Sequence, residues 1–410
     1  MKKNAICALV LFGLIFFGCD DTSENGPESS AKGSYTVTFK GTASNPSNQT
    51  ISAWEKISKP ADPAAPDSAA FKGWYKDGRL PWNFTTDQVT SNMTLCAGWS
   101  FNTIAALEAF LSNPSTAGAA RHMSPGTDPN PDKYPIPVAL SIQLTQENWK
   151  NLVKAIESKG KKVSLDLSAC TVSGASGNDT STVAAERHIG GLWADGTFQS
   201  IDTGLNAAFT GSVNTRVTNT IAALILPDGA TKLVEATANI NLIHAIMGRN
   251  VTRITYTANA SFHGGRLTEA YFPKITDIGT ALEECQYLET AYLPEVTKLE
   301  ADALRYTYTA GAKGLSRADI PKAAEIGDSA FGSSGNADLT ITLGPTPPKL
   351  GKDIFNGISV LKKVTVRVPA ANKAAYTADW VKGLTGKGWE NGTLKDGPVK
   401  RNIIVTIIEY

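Results

Sequence analysis

One phrase decides the fold of this chain, and a clear copy of it reads Leu288-Glu289-Thr290-Ala291-Tyr292-Leu293-Pro294. The phrase is an apolar residue, two variable residues, a small or apolar residue, one variable residue, an apolar residue and then proline. Further copies begin at Ile221, Leu267 and Leu315, and weaker ones at Val251, Leu339 and Leu361. From Leu267 onward the starts are 21 to 27 residues apart. Such a period indicates stacked units, each too small to bury its own apolar face, and the stack exposes a long surface.

The phrase also predicts which side chains face outward. The last two apolar residues of each copy are two positions apart, so they face the core together, and their neighbours point to the other face of the sheet. Proline then ends the strand because it lacks a ladder donor. The outward pairs predicted in this way are Arg253 and Thr255, Glu269 and Tyr271, Thr290 and Tyr292, Arg317 and Asp319, Ile341 and Leu343, and Lys363 and Thr365.

Part of this outward row is a candidate binding site. Tyrosine and arginine are favoured at binding hot spots, although paired tyrosines on neighbouring strands can also serve only to stabilise a sheet. The candidate residues are Arg253, Glu269, Tyr271, Thr290, Tyr292, Arg317 and Asp319.

Several local phrases carry a family resemblance. They are Val163-Ser-Leu-Asp-Leu-Ser-x-Cys170, Leu226-Pro-Asp-Gly229, Ile326-Gly-x-x-Ala-Phe331 and Val366-x-Val-Pro369. Residues 161–385 thereby resemble BspA-like leucine-rich repeats of the treponemal surface-antigen class. The resemblance implies a leucine-rich-repeat solenoid in a surface protein that binds macromolecules of a host or of neighbouring cells, including matrix proteins.

A separate β module is expected at residues 34–100. Tyr35, Val37 and Phe39 alternate along one strand, and Phe71-Lys-Gly-Trp-Tyr75 is followed by a closing Trp99. This segment resembles the internalin B-repeat, or Listeria–Bacteroides repeat, which implies a small β-grasp-like fold that often serves as a spacer. Its aromatic residues Trp74, Tyr75, Trp82 and Trp99 could form a carbohydrate platform or fill the core, and the small size of the module favours the core.

The N-terminus predicts export and anchoring. Lys2-Lys3 precede the 13-residue apolar run Ala5–Phe17, which is too short for an ordinary membrane span. Phe16-Phe-Gly-Cys19 resembles a lipobox, with Phe16 in place of the usual leucine. The resemblance implies that residues 1–18 are a signal peptide and that Cys19 is lipidated, with an ordinary signal and a bystander Cys19 as the alternative. The polar, acidic residues 19–33 are then a disordered tether.

The remaining segments are connectors. Residues 101–160 are expected to hold two helices, at Thr103–Ser112 and Thr145–Ser158, separated by a proline-rich loop. Residues 386–410 end in a β-prone run that should pair with a sheet edge. The fold class is therefore mainly β with short helices: a β-grasp-like domain followed by a leucine-rich-repeat solenoid.

Composition and motifs narrow the function. The net charge of +1 gives no basic field for nucleic acid, and the histidines are scattered without a metal or catalytic motif. We expect no cofactor, no enzymatic activity and a monomer held at the cell surface or outer membrane by its lipid. Adhesion to a matrix protein or glycan is the first hypothesis, and a structural or antigenic surface protein without a high-affinity partner is the alternative.

Overall fold

A computed structural model describes residues 33–66, 68–113, 134–144, 146–172, 191–192, 197–199, 221–235, 245–256, 267–305, 313–333, 336–355, 361–384, 389–390, 393–394 and 403–410. The predictions for Cys19, the signal peptide and the tether fall outside these residues, as do all four histidines.

The described chain is mainly β. Its strands are β1 (Ser34–Lys40), β2 (Gln49–Ser52), β3 (Ala70–Lys76), β4 (Leu80–Pro81), β5 (Met93–Phe101), β6 (Ile136–Leu140), β7 (Gln143–Leu144), β8 (Val163–Asp166), β9 (Thr171–Val172), β10 (Gly191–Leu192), β11 (Thr197–Gln199), β12 (Ile221–Ile225), β13 (Lys232–Glu235), β14 (Ala245–Met247), β15 (Arg253–Tyr256), β16 (Glu269–Tyr271), β17 (Thr290–Tyr292), β18 (Lys298–Leu299), β19 (Arg317–Asp319), β20 (Glu325–Ile326), β21 (Asp338–Thr342), β22 (Lys349–Leu350), β23 (Lys363–Val368), β24 (Trp389–Glu390), β25 (Thr393–Leu394) and β26 (Ile404–Glu409). The helices are α1 (Ile104–Ser112), α2 (Gln146–Lys159), a 3-10 helix (Ala370–Ala375) and α3 (Ala378–Leu384).

A single long sheet runs through the described chain. Its order is β2-β1-β5-β6-β8-β12-β14-β16-β17-β19-β21-β23-β26, with β3 and β4 branching from β5. From β5 to β26 each neighbouring pair in this path is parallel. A parallel-rich sheet of this length is compatible with a solenoid. We call residues 34–101 the N-terminal module and residues 136–409 the parallel module.

The inward positions of the central copies are confirmed. Ala270, Ala291 and Ala318 stand opposite one another across β16, β17 and β19, and all three are buried. On the return segments β18, β20 and β22 pair as a second small sheet, which buries Leu299 and Ile326. Each unit therefore contributes a strand to the long sheet and an apolar return arm to the same core.

The prediction that a copy of the phrase begins at Val251 is wrong. The strand in the long sheet is β14, and Ile246 rather than Ile254 lies opposite Ala270. Arg253 and Thr255 belong to β15, in the sheet β10-β11-β13-β15. The phrase fails here because Gly248 takes the place of its last apolar residue. A methyl group on Gly248 would lie 2.6 Å from a Val251 methyl carbon.

The predicted alignment of the copy at Leu339 is wrong by one residue. Ile341 lies opposite Ala318, and both Ile341 and Leu343 are buried in the core. Thr340 and Thr342 are the outward residues of β21. A one-residue shift exchanges the two faces of a strand, so the prediction that Ile341 and Leu343 point outward is wrong.

The N-terminal module has a packed aromatic core. Trp74, Tyr75 and Trp99 are at most 4% exposed, and the Phe39 and Trp74 rings meet edge to face at 5.1 Å. Trp74 and Trp99 fill this interior, whereas Tyr75 is buried against the parallel module, so none of the three offers a carbohydrate platform. Asp77 and Gly78 form the turn between β3 and β4, with φ of 48° and 65°.

The expectation of a spacer is also corrected, because the two modules share one sheet. Strand β5 pairs in parallel with β6, and β6 pairs with β8. Strand β6 includes Pro137 and so lies partly in the proline-rich stretch for which the sequence predicts a loop. The two expected helices are present, and Thr103 caps α1 by accepting a hydrogen bond of 3.1 Å from the Ala106 amide.

Candidate functional site

The outward face of the parallel module is partly covered by the N-terminal module. We define the outward face as the side chains of β12 to β23 that point away from the main core. Tyr75 and Leu80, from the hairpin β3–β4, are buried against a patch of that face in a second apolar cluster. The patch consists of Ala223, Ile225, Ala245 and Met247. The hairpin therefore docks on the first third of the face.

A buried hydrogen bond fixes this docking. The Tyr75 hydroxyl donates to Asp166 Oδ2 at 2.6 Å, and Asp166 Oδ1 accepts from the Ser168 amide at 2.8 Å. Tyr75 and Asp166 are both fully buried. Burial first, and then the charge of Asp166, raise the pKa of Tyr75 well above its usual value. The tyrosine therefore stays a neutral donor to a buried carboxylate.

Two cations of the hairpin continue the contact to β16. Lys76 Nζ lies 3.4 Å from Glu269 Oε1, and Arg79 Nη1 donates to the Thr268 hydroxyl at 2.9 Å. Burial acts to raise the pKa of Glu269, but the charges of Lys76 and Arg79 outweigh it and the pKa is lowered. Glu269 is therefore held as a carboxylate by the other module.

The far contact between the modules is aromatic. The guanidinium carbon of Arg367 lies 3.7 Å from the centre of the Trp54 ring, and that of Arg317 lies 5.4 Å from it. Arg367 also donates to Gln88 Oε1 at 3.4 Å. Burial first, and then the charge of Arg317, lower the pKa of Arg367 to about 10. Cation–π contact compensates part of the cost of burying this side chain.

A cleft of about 170 Å³ remains between these contacts. Its lining is shared by both modules and consists of Lys76, Leu80, Pro81, Trp82, Thr86, Asp87, Gln88, Thr90, Met93, Met247, Glu269, Ala270, Tyr271, Thr290, Tyr292, Arg317 and Asp319. The Tyr271 and Tyr292 rings stack at 4.2 Å with 9° between their planes. Arg317 Nε lies 2.7 Å from Asp319 Oδ2, so this wall also holds an ion pair.

Several acidic and phenolic groups of the cleft are perturbed by burial. Burial raises the pKa of Asp87, against the lowering effect of hydrogen bonds from Asn83 and Thr86. Burial is also the first cause of the raised pKa values of Tyr271 and Tyr292. At neutral pH both tyrosines are therefore neutral hydroxyl groups.

Two donors at the cleft lack a hydrogen bond among the described residues. The indole Nε1 of Trp82 is buried without a partner, and so is Arg317 Nε, which is close to Asp319 but not aligned with it for a hydrogen bond. Buried donors are seldom left without an acceptor. Both atoms are buried from solvent, so neither is exposed to a ligand in the cleft.

The structure brings together six of the seven predicted binding residues. Glu269, Tyr271, Thr290, Tyr292, Arg317 and Asp319 all line the cleft. Arg253 does not, because it lies in the sheet of β15. Asp319 is only 4% exposed, so this part of the row is not an open surface.

Sequence reasoning missed the half of the cleft that the N-terminal module supplies. Lys76, Asp87 and Gln88 had no role in the predicted site, and Trp82 was considered only within its own module. No local signal identifies them, since their position depends on the docking of the hairpin. Within the described ranges no group of three or more His, Cys, Asp or Glu side chains could hold a metal ion.

One comparison with known proteins gives a match. Residues 35–98 match the family model of the Listeria-Bacteroides repeat domain, a bacterial surface-associated repeat. This domain corresponds to the N-terminal module and is consistent with a cell-surface protein. No curated protein and no solved structure matches the chain. In the part of the chain that the structure describes, no helix is both long and apolar enough to cross a membrane.

Proposed function

We propose that this chain is a bacterial surface protein that recognises a macromolecule of a host or of a neighbouring cell, and that it does so in the cleft between its two modules. The observation that carries the proposal is the cleft itself. It combines stacked tyrosines and an arginine in a concave lining, which are residue types and features of binding sites. A spacer attached to an independent repeat domain would have no such shared lining.

We also propose that the parallel module is a leucine-rich-repeat solenoid of the BspA-like class. The support is the recurring phrase together with its alignment in the long sheet, where Ala270, Ala291 and Ala318 form one buried row. The cleft then lies at the outward face of the solenoid, where repeat proteins offer their binding surface.

The lipid anchor at Cys19 is part of this proposal. It rests on the lipobox-like Phe16-Phe-Gly-Cys19 and on the apolar run before it. Labelling growing cells with an alkyne fatty acid should mark the wild-type chain and leave Cys19→Ala unmarked. Equal labelling of the two chains would contradict the anchor.

We propose no enzymatic activity and no nucleic-acid partner. The carboxylates of the cleft are engaged in structural contacts: Glu269 with Lys76, Asp319 with Arg317, and Asp87 with the Asn83 amide. Turnover of any bound ligand in the cleft would contradict this statement.

The experiment that tests recognition is binding of the full chain to a panel of matrix proteins and glycoproteins. Tyr292→Ala should lower the affinity at least tenfold, since truncating a hot-spot side chain typically costs about 2 kcal/mol or more. Tyr35→Ala is the matched control, because Tyr35 is also half-buried but lies on β1, outside the cleft lining. Circular dichroism would verify that both variants are folded.

A structural or antigenic protein without a high-affinity partner is the second candidate. It is favoured by the burial of Ala223, Ile225, Ala245 and Met247 under the hairpin, which removes part of the outward face from any partner. Absence of saturable binding at micromolar concentrations across the panel would favour it. Equal loss in Tyr292→Ala and Tyr35→Ala would move the site away from the cleft.

A further inference from the structure

We propose that the last strand of the long sheet, β26, pairs with β26 of a second copy of this chain, in antiparallel orientation and centred on Thr406. The result is a symmetric dimer with one sheet running through both copies. This inference is independent of the cleft, and it departs from the monomer expected from the sequence.

Strand β26 has one open side among the described strands. Its neighbour is β23, with which Ile404–Glu409 pair residue by residue without a bulge. On that side the amide of Ile404 donates to the carbonyl of Lys362 at 2.9 Å. Backbone groups alternate in direction along a strand, so every second residue points its N–H and C=O away from β23. The residues that point this way are Val405, Ile407 and Glu409.

The open side lacks the features that normally keep sheet edges apart. Natural edge strands are very short, or are protected by lysine, proline or a bulge. Strand β26 has six residues and contains neither lysine nor proline, and its one charged residue, Glu409, lies 3.2 Å from Lys373 of the same chain. Among the described residues the exposed large hydrophobic side chains are Ile404, at 64%, and Tyr410, at 49%, and both are at this edge. Such an edge is suited to pairing with a further strand.

The sequence of β26 is complementary to itself. In an antiparallel pair centred on Thr406, this residue lies opposite its own copy, Ile404 lies opposite Ile408, and Val405 lies opposite Ile407. Apolar side chains thus meet apolar ones and a hydroxyl meets a hydroxyl, which are stabilising cross-strand pairs. The open backbone groups match as well, because Val405 and Ile407 form a hydrogen-bonded pair in this register. The two outward faces then lie on the same side of one continuous sheet.

Other pairings fit less well. A register centred on Ile407 would place the charged Glu409 opposite Val405. The other end of the sheet is β2, Gln49–Ser52, which has four mostly polar residues. A contact between β26 and β2 would also be heterologous and would continue into a filament instead of closing. The symmetric pair of β26 strands is therefore the arrangement that the edge favours.

The first test is a disulfide between two copies. Directly opposite residues of a non-hydrogen-bonded pair have Cα atoms about 4.5 Å apart, which is within the range of about 4.4–6.8 Å that a disulfide spans. Mild oxidation of full-length Thr406→Cys in detergent should therefore give a covalent dimer on a non-reducing gel. Thr365→Cys is the matched control, because Thr365 lies beside Thr406 on β23 and its two copies would be about 14 Å apart. The wild type controls for the chain's own cysteines, of which Cys96, Cys170 and Cys285 are buried.

A mixed experiment tests the register. Ile404→Cys and Ile408→Cys should form a disulfide with each other when the two variants are mixed. Neither variant should form one alone, because each residue is four positions, or about 13 Å, from the point opposite its own copy.

The second test measures association without cysteines, by sedimentation of the full chain in density-matched detergent. Thr406→Lys places two like charges directly opposite each other and should weaken the dimer about tenfold or more. Thr406 is exposed, so the fold should be unchanged by circular dichroism. Thr365→Lys is the same substitution one strand further from the edge and should dimerise like the wild type.

Three outcomes would overturn the inference. They are a wild type that sediments as a monomer at all concentrations, a disulfide that forms as readily in Thr365→Cys as in Thr406→Cys, and association that Thr406→Lys leaves unchanged. Growth into assemblies larger than a dimer would likewise exclude a closed symmetric pair. The binding assays on the cleft are separate from these measurements, so either proposal can fail without the other.

Discussion

The hydrogen bond between Tyr75 and Asp166 provides the sharpest test of how the modules are joined. Its two residues are 91 positions apart in sequence, they are fully buried, and their oxygens lie 2.6 Å apart. A hydrogen bond to a charged group contributes about 1.5–3 kcal/mol to stability. Tyr75→Phe removes the hydroxyl and leaves Asp166 with the Ser168 amide as its remaining partner at 2.8 Å. We therefore expect Tyr75→Phe to lower the free energy of unfolding by about 2 kcal/mol.

A double-mutant cycle with Asp166→Asn isolates this bond from other effects. The two single changes should each destabilise the chain, and the double change should cost less than their sum by about 1–2 kcal/mol. Urea unfolding followed by tryptophan fluorescence measures all four chains. Since β5 and β6 belong to one sheet, we expect the wild type to unfold in a single transition.

The control for the cycle is Tyr35→Phe in the same module. Tyr35 is half-buried on β1, and its change should stay within about 0.5 kcal/mol. The reasoning is refuted if the two changes are additive within about 0.5 kcal/mol, or if Tyr35→Phe costs as much as Tyr75→Phe. Separate unfolding of the N-terminal module would likewise show that it is not docked.

Four further predictions follow from buried groups. Because the pKa of Tyr75 is raised in the folded chain, the stabilising effect of Tyr75 is complete below the ordinary tyrosine pKa of about 10 and is lost as the pH rises above it. The free energy of unfolding of the wild type, measured in urea, should therefore fall more steeply above that pH than that of Tyr75→Phe. Gly98→Ala places a methyl group 2.2 Å from a Tyr75 ring carbon and should lower the unfolding free energy by about 1–3 kcal/mol, with a change in the near-ultraviolet circular dichroism; an unchanged spectrum and stability would contradict this close approach. Arg367→Met should lower the free energy of unfolding by less than about 1 kcal/mol, or raise it, because burying a guanidinium group carries a desolvation cost. A loss of several kcal/mol in calorimetry would show that the contact of Arg367 with the N-terminal module is stronger than inferred. Burial raises the pKa of Cys96 to about 12 and of Cys170 to about 11, so iodoacetamide at pH 8 should label both thiols only after unfolding, as detected by peptide mass spectrometry, and labelling of the native chain would argue against their burial.

The strands of the central copies could be predicted from the sequence because their phrase matches a simple physical rule. In Leu267 to Leu315 each copy has a residue pair that must face the core, and the register across β16, β17 and β19 agrees. The rule failed in the unit of β14, where a glycine occupies the position of the last apolar residue. Gly248 leaves space for the neighbouring Phe272 ring. This unit therefore lacks one of the apolar residues by which the phrase is recognised in the sequence.

The docked half of the cleft could not be predicted in this way. Trp82 and Asp87 come from one module, and Tyr292 and Arg317 come from another part of the chain about 200 residues away. Periodicity reports which face of a strand a residue occupies, but it does not report what covers that face. The placement of the hairpin over the parallel strands is a long-range result of the pairing of β5 with β6.

The composition of the outward face is itself an argument that the docking is a property of the native chain. Under the hairpin the outward positions of β12 and β14 carry small or apolar side chains, such as Ala223 and Met247, and these are buried. Beyond the hairpin the same row becomes polar, beginning with Glu269. If the N-terminal module were a spacer, the row would begin with an exposed apolar patch, which soluble surfaces rarely keep without a partner. The change from apolar to polar falls where Lys76 meets Glu269, at the edge of the cover. The two modules are therefore matched to each other in sequence as well as in space, and the cleft at their boundary is a consequence of that match.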